Sequence, residues 1–235
     1  MMINKKDIIT IILARGGSKG LKNKNLRKLN GKPLIYYPIN AAKNSKYIGN
    51  IIVSTDSKKI AYVAKKFGAV VPFIRPKKLS GSFATTEKTL QHALINYEKL
   101  IGRKFKICVF LTATDIFRKV YWIDKCIEYL HKNKKIESVF FGYKTSKNYW
   151  EYKNGKWIRL KKWMRVYSSR QIRKTIVRED TGLACASRSE LWRKGRRIGD
   201  KVKIFTNEDS FSHIDIHTLE DLKLAEAANK IRKIK

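Results

Sequence analysis

Two stretches of this chain hold residue types whose spacing suits chemistry. The first is Leu13-Ala-Arg-Gly-Gly-Ser-Lys-Gly-Leu-Lys-Asn-Lys-Asn25, which directly follows a hydrophobic run. Gly16, Gly17 and Gly20 let the backbone come close to a ligand, and successive N–H groups can line an anion cavity. Arg15, Lys19 and Lys24 add three positive charges to the same loop, which is what a triphosphate requires. The spacing matches neither the Walker-type phosphate loop nor the dinucleotide Gly-x-Gly-x-x-Gly pattern. A basic surface loop with flexible glycines is therefore the competing reading. The second stretch is His213-Ile-Asp-Ile-His217. On a strand, His213, Asp215 and His217 would share one face, with Ile214 and Ile216 pointing into the core. One reading makes them a three-residue transition-metal set. The other gives the work to Asp215 alone, holding Mg²⁺ beside a polyphosphate at the carboxyl end of a sheet strand.

Such residues act only when a scaffold holds them. Short apolar runs alternate with amphipathic stretches, the pattern of a mostly parallel sheet with crossover helices. Strands are expected over 7–14, 51–54, 69–74, 107–111, 138–142, 182–187, 202–205 and 213–216. Helices are expected over 33–45 (with Pro33 in the first turn), 58–67, 84–100 and 120–131. A final helix starts at Thr218, with Asp221 forming a variant capping box, and runs through Leu222, Ala225, Ala228 and Ile231. Asp56, in Ser54-Thr-Asp56, either touches a ligand or caps the following helix. His92 and His131 fall within helices and need no special role.

Composition narrows the class. The 235 residues carry 53 Lys+Arg against 19 Asp+Glu, a formal net charge of +34. With 43% hydrophobic and 11% aromatic residues the chain is not a disordered basic tail. No apolar run reaches the roughly 18 residues of a membrane-spanning helix. The opening Met-Met-Ile-Asn-Lys-Lys-Asp lacks the features of a signal peptide. Cys108, Cys126 and Cys185 form no Cys-x-x-Cys pair and read as buried small hydrophobes in a reducing, cytoplasmic setting. The charge suits either a nucleic-acid binder or an enzyme of multiply anionic small substrates. Most of it is lysine spread along the chain, whereas base readout and bidentate phosphate clamps favour arginine.

From Tyr143 the texture becomes basic and aromatic, with Glu151 the one acid before Lys174. Asn154-Gly155 between Tyr152 and Trp157 is a strong hairpin signal. The chain reads as one domain over 1–235, with 143–175 an excursion from the α/β core. Interleaved aromatics and cations also grip single-stranded nucleic acid, so a basic nucleic-acid-binding module is the alternative function.

The first loop, extended as LARGGSKGLKNKNLRKLNGKPLI, together with IIVSTDS, VPFIRPKKL and IDIHTLEDLKLAE, resembles the acylneuraminate cytidylyltransferases, including CMP-nonulosonate synthetases. The resemblance runs across almost the whole chain in order. It implies a three-layer, mostly parallel mixed sheet of the nucleotide-diphosphosugar transferase (Rossmann-like) type. It also implies a homodimer built through the 143–175 extension, and Mg²⁺-dependent transfer of CMP from CTP to an acidic 2-keto sugar. Arg15, Ser18, Lys19, Lys24 and Asn25 fall on the family's CTP loop, with Gly16 and Gly17 between them. Arg75 falls on its Arg-Pro nucleotide motif, Thr114 on its central signature, and Asp215 on its first metal aspartate. Arg170, Gln171 and Arg178 fall around its sugar-site segment.

The chain also departs from the family. His217 replaces the second acid of the Asp-x-Asp pair, so position 217 is a metal ligand only if an imidazole serves. Gln-Pro-Thr-Ser-Pro-Leu-Arg appears as Thr112-Ala-Thr-Asp-Ile-Phe-Arg118, which puts Thr112 where a sugar- and base-reading Gln stands. An Asn-Gly pair becomes Glu179-Asp-Thr-Gly182, and a loop aspartate becomes Ser82. These changes point to a sugar other than ordinary N-acetylneuraminate. The implied chemistry is attack of the anomeric hydroxyl on the α-phosphorus, with Lys19, Lys24 and Asp215 the catalytic set. His217 and Asp180 are the candidate general bases.

Overall fold

The computed structural model describes residues 2–169 and 171–234. β1 (Ile8–Leu13) enters the glycine loop, and β2 (Lys28–Leu29) with β3 (Lys32–Pro33) makes a small ribbon beyond it. β4 (Asn50–Ser54) and β5 (Ile107–Leu111) flank β1 in parallel. β6 (Ser138–Thr145) leads to the hairpin β7 (Trp150–Lys153) and β8 (Lys156–Arg159). β9 (Ile176–Glu179) and β10 (Cys185–Arg188) return antiparallel along successive parts of β6, and β11 (Val202–Asn207) lies parallel on its other side. The sheet order is β11-β6-β10-β5-β1-β4, the mixed, mostly parallel arrangement expected.

Alternation along the strands builds two cores. Ile8 and Ile12 of β1 pack toward α1 (Tyr36–Lys43), α2 (Lys58–Lys66), α4 (Val120–Lys132) and α6 (Leu219–Ile234). Ile9 and Ile11 pack toward α3 (Thr86–Ile101) and α5 (Ser189–Arg193) on the other face. A sheet covered on both faces explains why its strands read as unbroken apolar runs. In α4, Trp122, Ile123, Cys126, Ile127 and Leu130 form the buried stripe, and Trp122 stacks on Phe141 with centroids 5.0 Å apart. Each such side chain contributes about 1.5–3 kcal/mol by leaving water. All three cysteines are buried, as expected.

Local signals behave as their chemistry demands. Asn154 and Gly155 take φ of +50° and +76°, the left-handed pair a tight hairpin turn needs. Thr218 and Asp221 cap α6 reciprocally: Asp221 N–H donates to Thr218 Oγ1 (3.2 Å) and Thr218 N–H to Asp221 Oδ2 (2.8 Å). Leu222, Ala225 and Ala228 are buried beneath it, whereas Ile231 is exposed.

Three expectations need correction. Pro33 belongs to β3; the proline in the first turn of α1 is Pro38, whose missing N–H would have had no partner within the helix. Residues 69–74 form only two isolated bridges, Ile52 to Val70 and Thr55 to Ile74, so the sheet ends at β4. Residues 213–216 are not a strand. Asp209 accepts from Phe211 N–H (3.0 Å) and the Ser212 hydroxyl donates to Asn207 Oδ1 (2.6 Å). These local bonds wind Ser210–His213 into a 3₁₀ turn before any sheet edge is reached.

Candidate active site

β1, β4, β5, β6 and β11 share one direction, so the segments after them gather at one edge of the sheet. There the glycine loop is held from both ends. Gly16 N–H donates to Asp56 Oδ1 (2.8 Å), and the buried Asn25 amide donates to the Arg15 carbonyl (2.9 Å). Asp56 also lies 3.9 Å from the buried Arg75 guanidinium, and Ser57, not Asp56, caps α2. A Cβ at Gly20 would stand 2.7 Å from the His217 carbonyl oxygen. The absence of a side chain at Gly20 thus allows the loop to meet the segment before α6.

The loop walls a cleft of about 470 Å³ lined by Arg15, Ser18, Lys19, Lys24, Asn25, Arg75, Thr112, Thr114 and His217. That volume lies within the roughly 300–1,000 Å³ of small-molecule sites. Burial lowers the Lys24 pKa, opposed by the charge of Asp215. Burial also lowers that of Arg75, opposed by Asp56. Gly16 and Gly17 line neither this cleft nor its neighbour, and the Gly16 N–H is already bonded to Asp56.

A second cleft adjoins the first through Thr86, Phe110, Thr112, Thr114 and His217, and is acidic: Glu87, Asp115, Glu179, Asp180 and Asp215 line it with Arg197. The Thr112 hydroxyl donates to Asp115 Oδ2. Burial, then the Asp215 charge, pushes the Asp115 carboxyl up to about 6 against the opposing effects of Arg118 and Thr112. Arg118 donates to the carbonyls of Thr112 (2.7 Å), Gly182 (2.6 Å) and Leu183 (2.9 Å), tying the loop after β5 to the turn before β10. Burial brings its pKa down to about 10. A Cβ at Gly182 would collide with Asp115 Oδ2 and stand 2.7 Å from Thr112 Oγ1.

The structure therefore brings together Arg15, Ser18, Lys19, Lys24, Asn25, Arg75, Thr112, Thr114, Asp215 and His217. Of the remaining sugar-site candidates among the described residues, neither Gln171 nor Arg178 lines either cleft. Arg178 is held by Asp180 through bonds of 2.7 and 3.2 Å, Gln171 is exposed, and Arg170 lies outside the described residues. The three-residue metal face is not formed. His213 packs on the Tyr143 ring at 4.2 Å between centroids, while His217 Nε2 lies 2.8 Å from Asp215 Oδ2. No group of three or more His, Cys, Asp or Glu suited to a metal occurs among the described residues. The oxygen donors Asp215 and Asp115, beside a cationic loop, do fit Mg²⁺, which takes one or two carboxylates and completes its shell with phosphate and water. Asp115, Arg118 and Arg197 were missed as functional candidates. An Asp and an Arg just past a fully buried strand, at the edge where α/β ligands bind, are the signal that was available for the first two.

The geometry defines an α/β protein with a cationic cleft where the first loop and the segment before α6 meet. The family is narrower: a family model described as cytidylyltransferase matches residues 9–232, and the chain belongs to that family. A Post-translational flagellin modification protein B of Campylobacter coli is 39% identical over 128 residues, 54% of this chain and 54% of the relative. A CMP-N,N'-diacetyllegionaminic acid synthase of Campylobacter jejuni is 44% identical over 110 residues, 47% of this chain and 45% of the relative. The matched part thus spans about half the length of these curated relatives. A solved CMP:2-keto-3-deoxy-manno-octonic acid synthetase complexed with CTP superposes with TM-score 0.70 at 12% identity, covering 96% of this chain and 99% of that one. That likeness speaks for the fold. No described helix is long and apolar enough to cross a membrane.

Proposed function

We propose that this protein transfers CMP from CTP to the anomeric hydroxyl of an acidic 2-keto sugar, an N-acylneuraminate or related nonulosonic acid, with release of pyrophosphate. One observation carries the reading: a cationic cleft and an acidic cleft share a wall at Thr112, Thr114 and His217. A nucleotide in the first presents its α-phosphorus at the junction to a hydroxyl arriving from the second. The family membership and the relative named for a CMP-sugar acid support the same reading.

In this reading Arg15, Lys19 and Lys24 neutralise the triphosphate as charge develops on the leaving group, and Ser18, Asn25, Arg75 and Thr114 shape the nucleotide cleft. Little covalent work falls to the protein; positioning and charge carry the rate. Asp215 would hold Mg²⁺, and that ion would supply Lewis-acid polarisation of the phosphate oxygens. Thr112 borders the sugar, and Arg170, Gln171 and Arg178 serve its carboxylate, Arg178 by exchanging its Asp180 partner. The exposed Trp150, Tyr152 and Trp157 of the hairpin support a homodimer through 143–175, since such aromatics favour interface cores. The setting proposed is the cytoplasm.

Pyrophosphate release with CTP, against ATP, GTP and UTP, over a panel of nonulosonic acids and 2-keto-3-deoxyoctonate tests the proposal. CTP-selective turnover with at least one sugar acid is expected. No turnover with any sugar, together with steeply salt-dependent RNA binding, would overturn it.

A further inference from the structure

A divalent ion at this junction needs oxygen donors, and the segment before α6 offers fewer than its pattern suggests. Asp215 supplies one carboxylate. Two residues on, His217 directs Nε2 to Asp215 Oδ2 at 2.8 Å. An imidazole is a poor partner for Mg²⁺, and this one is already engaged in orienting the neighbouring carboxylate.

A second carboxylate stands in the same cleft. Asp115, from the loop after β5, lines it with Asp215, and Asp215 is the strongest charge acting on Asp115. Both also act on Lys24, which lines the adjoining cleft. Asp115 is held firmly: Thr112 Oγ1 donates to its Oδ2, its N–H points to Thr112 Oγ1 at 3.4 Å, and Gly182 leaves the carboxyl room that any Cβ would take. Two like charges lining one cleft, opposed only in part by Arg118 and Lys24, suit a site completed by a bound cation.

We infer that Asp115 and Asp215 together supply the carboxylates that hold the divalent ion, with Asp115 standing in for the acid that position 217 lacks. His217 is then a positioning residue for Asp215. The inference rests on the proposed CTP-dependent reaction.

The test is Mn²⁺ binding to the full chain, followed by the loss of the free-ion electron paramagnetic resonance signal, with CTP present and no sugar. CTP affinity in EDTA reports that each variant is folded and keeps its nucleotide cleft. Asp115→Asn should weaken Mn²⁺ at least about tenfold, as should Asp215→Asn and the smaller Asp115→Ser. His217→Asn, which removes only the group orienting Asp215, should weaken it less than either Asp115→Asn or Asp215→Asn does. The double variant D115N/D215N should lose less than the product of the single losses, because both residues act on one ion. Mn²⁺ affinity unmoved by both Asp115 variants, with CTP still bound, overturns the inference alone. So does a loss in His217→Asn as large as that in Asp215→Asn with Asp115→Asn unaffected. A wild-type protein that binds no CTP overturns the functional reading beneath it.

Discussion

Replacing Asp115 by asparagine probes the electrostatics of the cleft in the absence of any ion. The carboxyl is raised from an ordinary 3.8 to about 6, first by burial and then by Asp215. Between those values the native protein holds a proton that the unfolded chain has released. The contribution of this group to native stability therefore falls as pH rises through that window, and the full cost stands above it. At about 1.4 kcal/mol per unit, the ionised carboxylate costs the native state roughly 3 kcal/mol near neutrality. Asparagine keeps the shape and still accepts the Thr112 hydroxyl, but carries no charge. In EDTA, Asp115→Asn should exceed wild type by up to about 3 kcal/mol near pH 7.5, an advantage that vanishes by about pH 4. Urea denaturation of both proteins at the two pH values measures it, and the difference between proteins cancels the other titrating groups. Saturating Mn²⁺ with CTP should narrow or reverse the order, because ligand binding favours the native wild type. A variant less stable than wild type near neutrality, or an advantage indifferent to pH, refutes the reasoning.

Other perturbations have expected outcomes. Gly20→Ala pushes the loop off the His217 carbonyl and should lower kcat/KM for CTP at least about tenfold with little change in melting temperature. Lys24→Met should reduce kcat by about a hundredfold or more, since a positioned charge on a phosphoryl group acts mainly in the transition state. In wild type the alkaline limb of the pH–rate profile should fall below the ordinary lysine value of 10.5, in the direction burial moves Lys24. Arg118→Met strips hydrogen bonds from three carbonyls and should cost about 3 kcal/mol or more in urea denaturation. Trp150→Ser with Trp157→Ser should shift the protein to monomer by light scattering; unchanged mass would remove the hairpin from the interface.

How legible these features were depended on whether the controlling interaction was local. The glycine loop stood out because β1 is apolar on both faces and ends abruptly in cations. The hairpin turn and the cap of α6 were legible because Asn154-Gly155 and Thr218 with Asp221 satisfy their own backbone. The 213–216 segment misled for the same reason in reverse: its alternation mimics a strand, while Asp209 and Ser212 hold the preceding turn in a 3₁₀ conformation. Residues 69–74 carry strand composition, but only two positions bridge to β4 and its neighbourhood. Asp115 stands in the sequence only as a departure from a signature, and its meaning depends on Asp215, which the sheet topology brings to the same cleft. The Arg118 anchors, three carbonyls in two distant segments, leave no sequence pattern at all.

The contact between Gly20 and His217 also bears on when the site comes into being. The two residues lie roughly 200 positions apart, among the most non-local contacts a chain of this size can make, and such closures form late in folding. During synthesis the cationic loop is finished early and waits, charged and without its acidic counterpart, until the segment before α6 emerges. The clefts cannot be completed by a partly made chain, so activity should appear in one step at the end of folding.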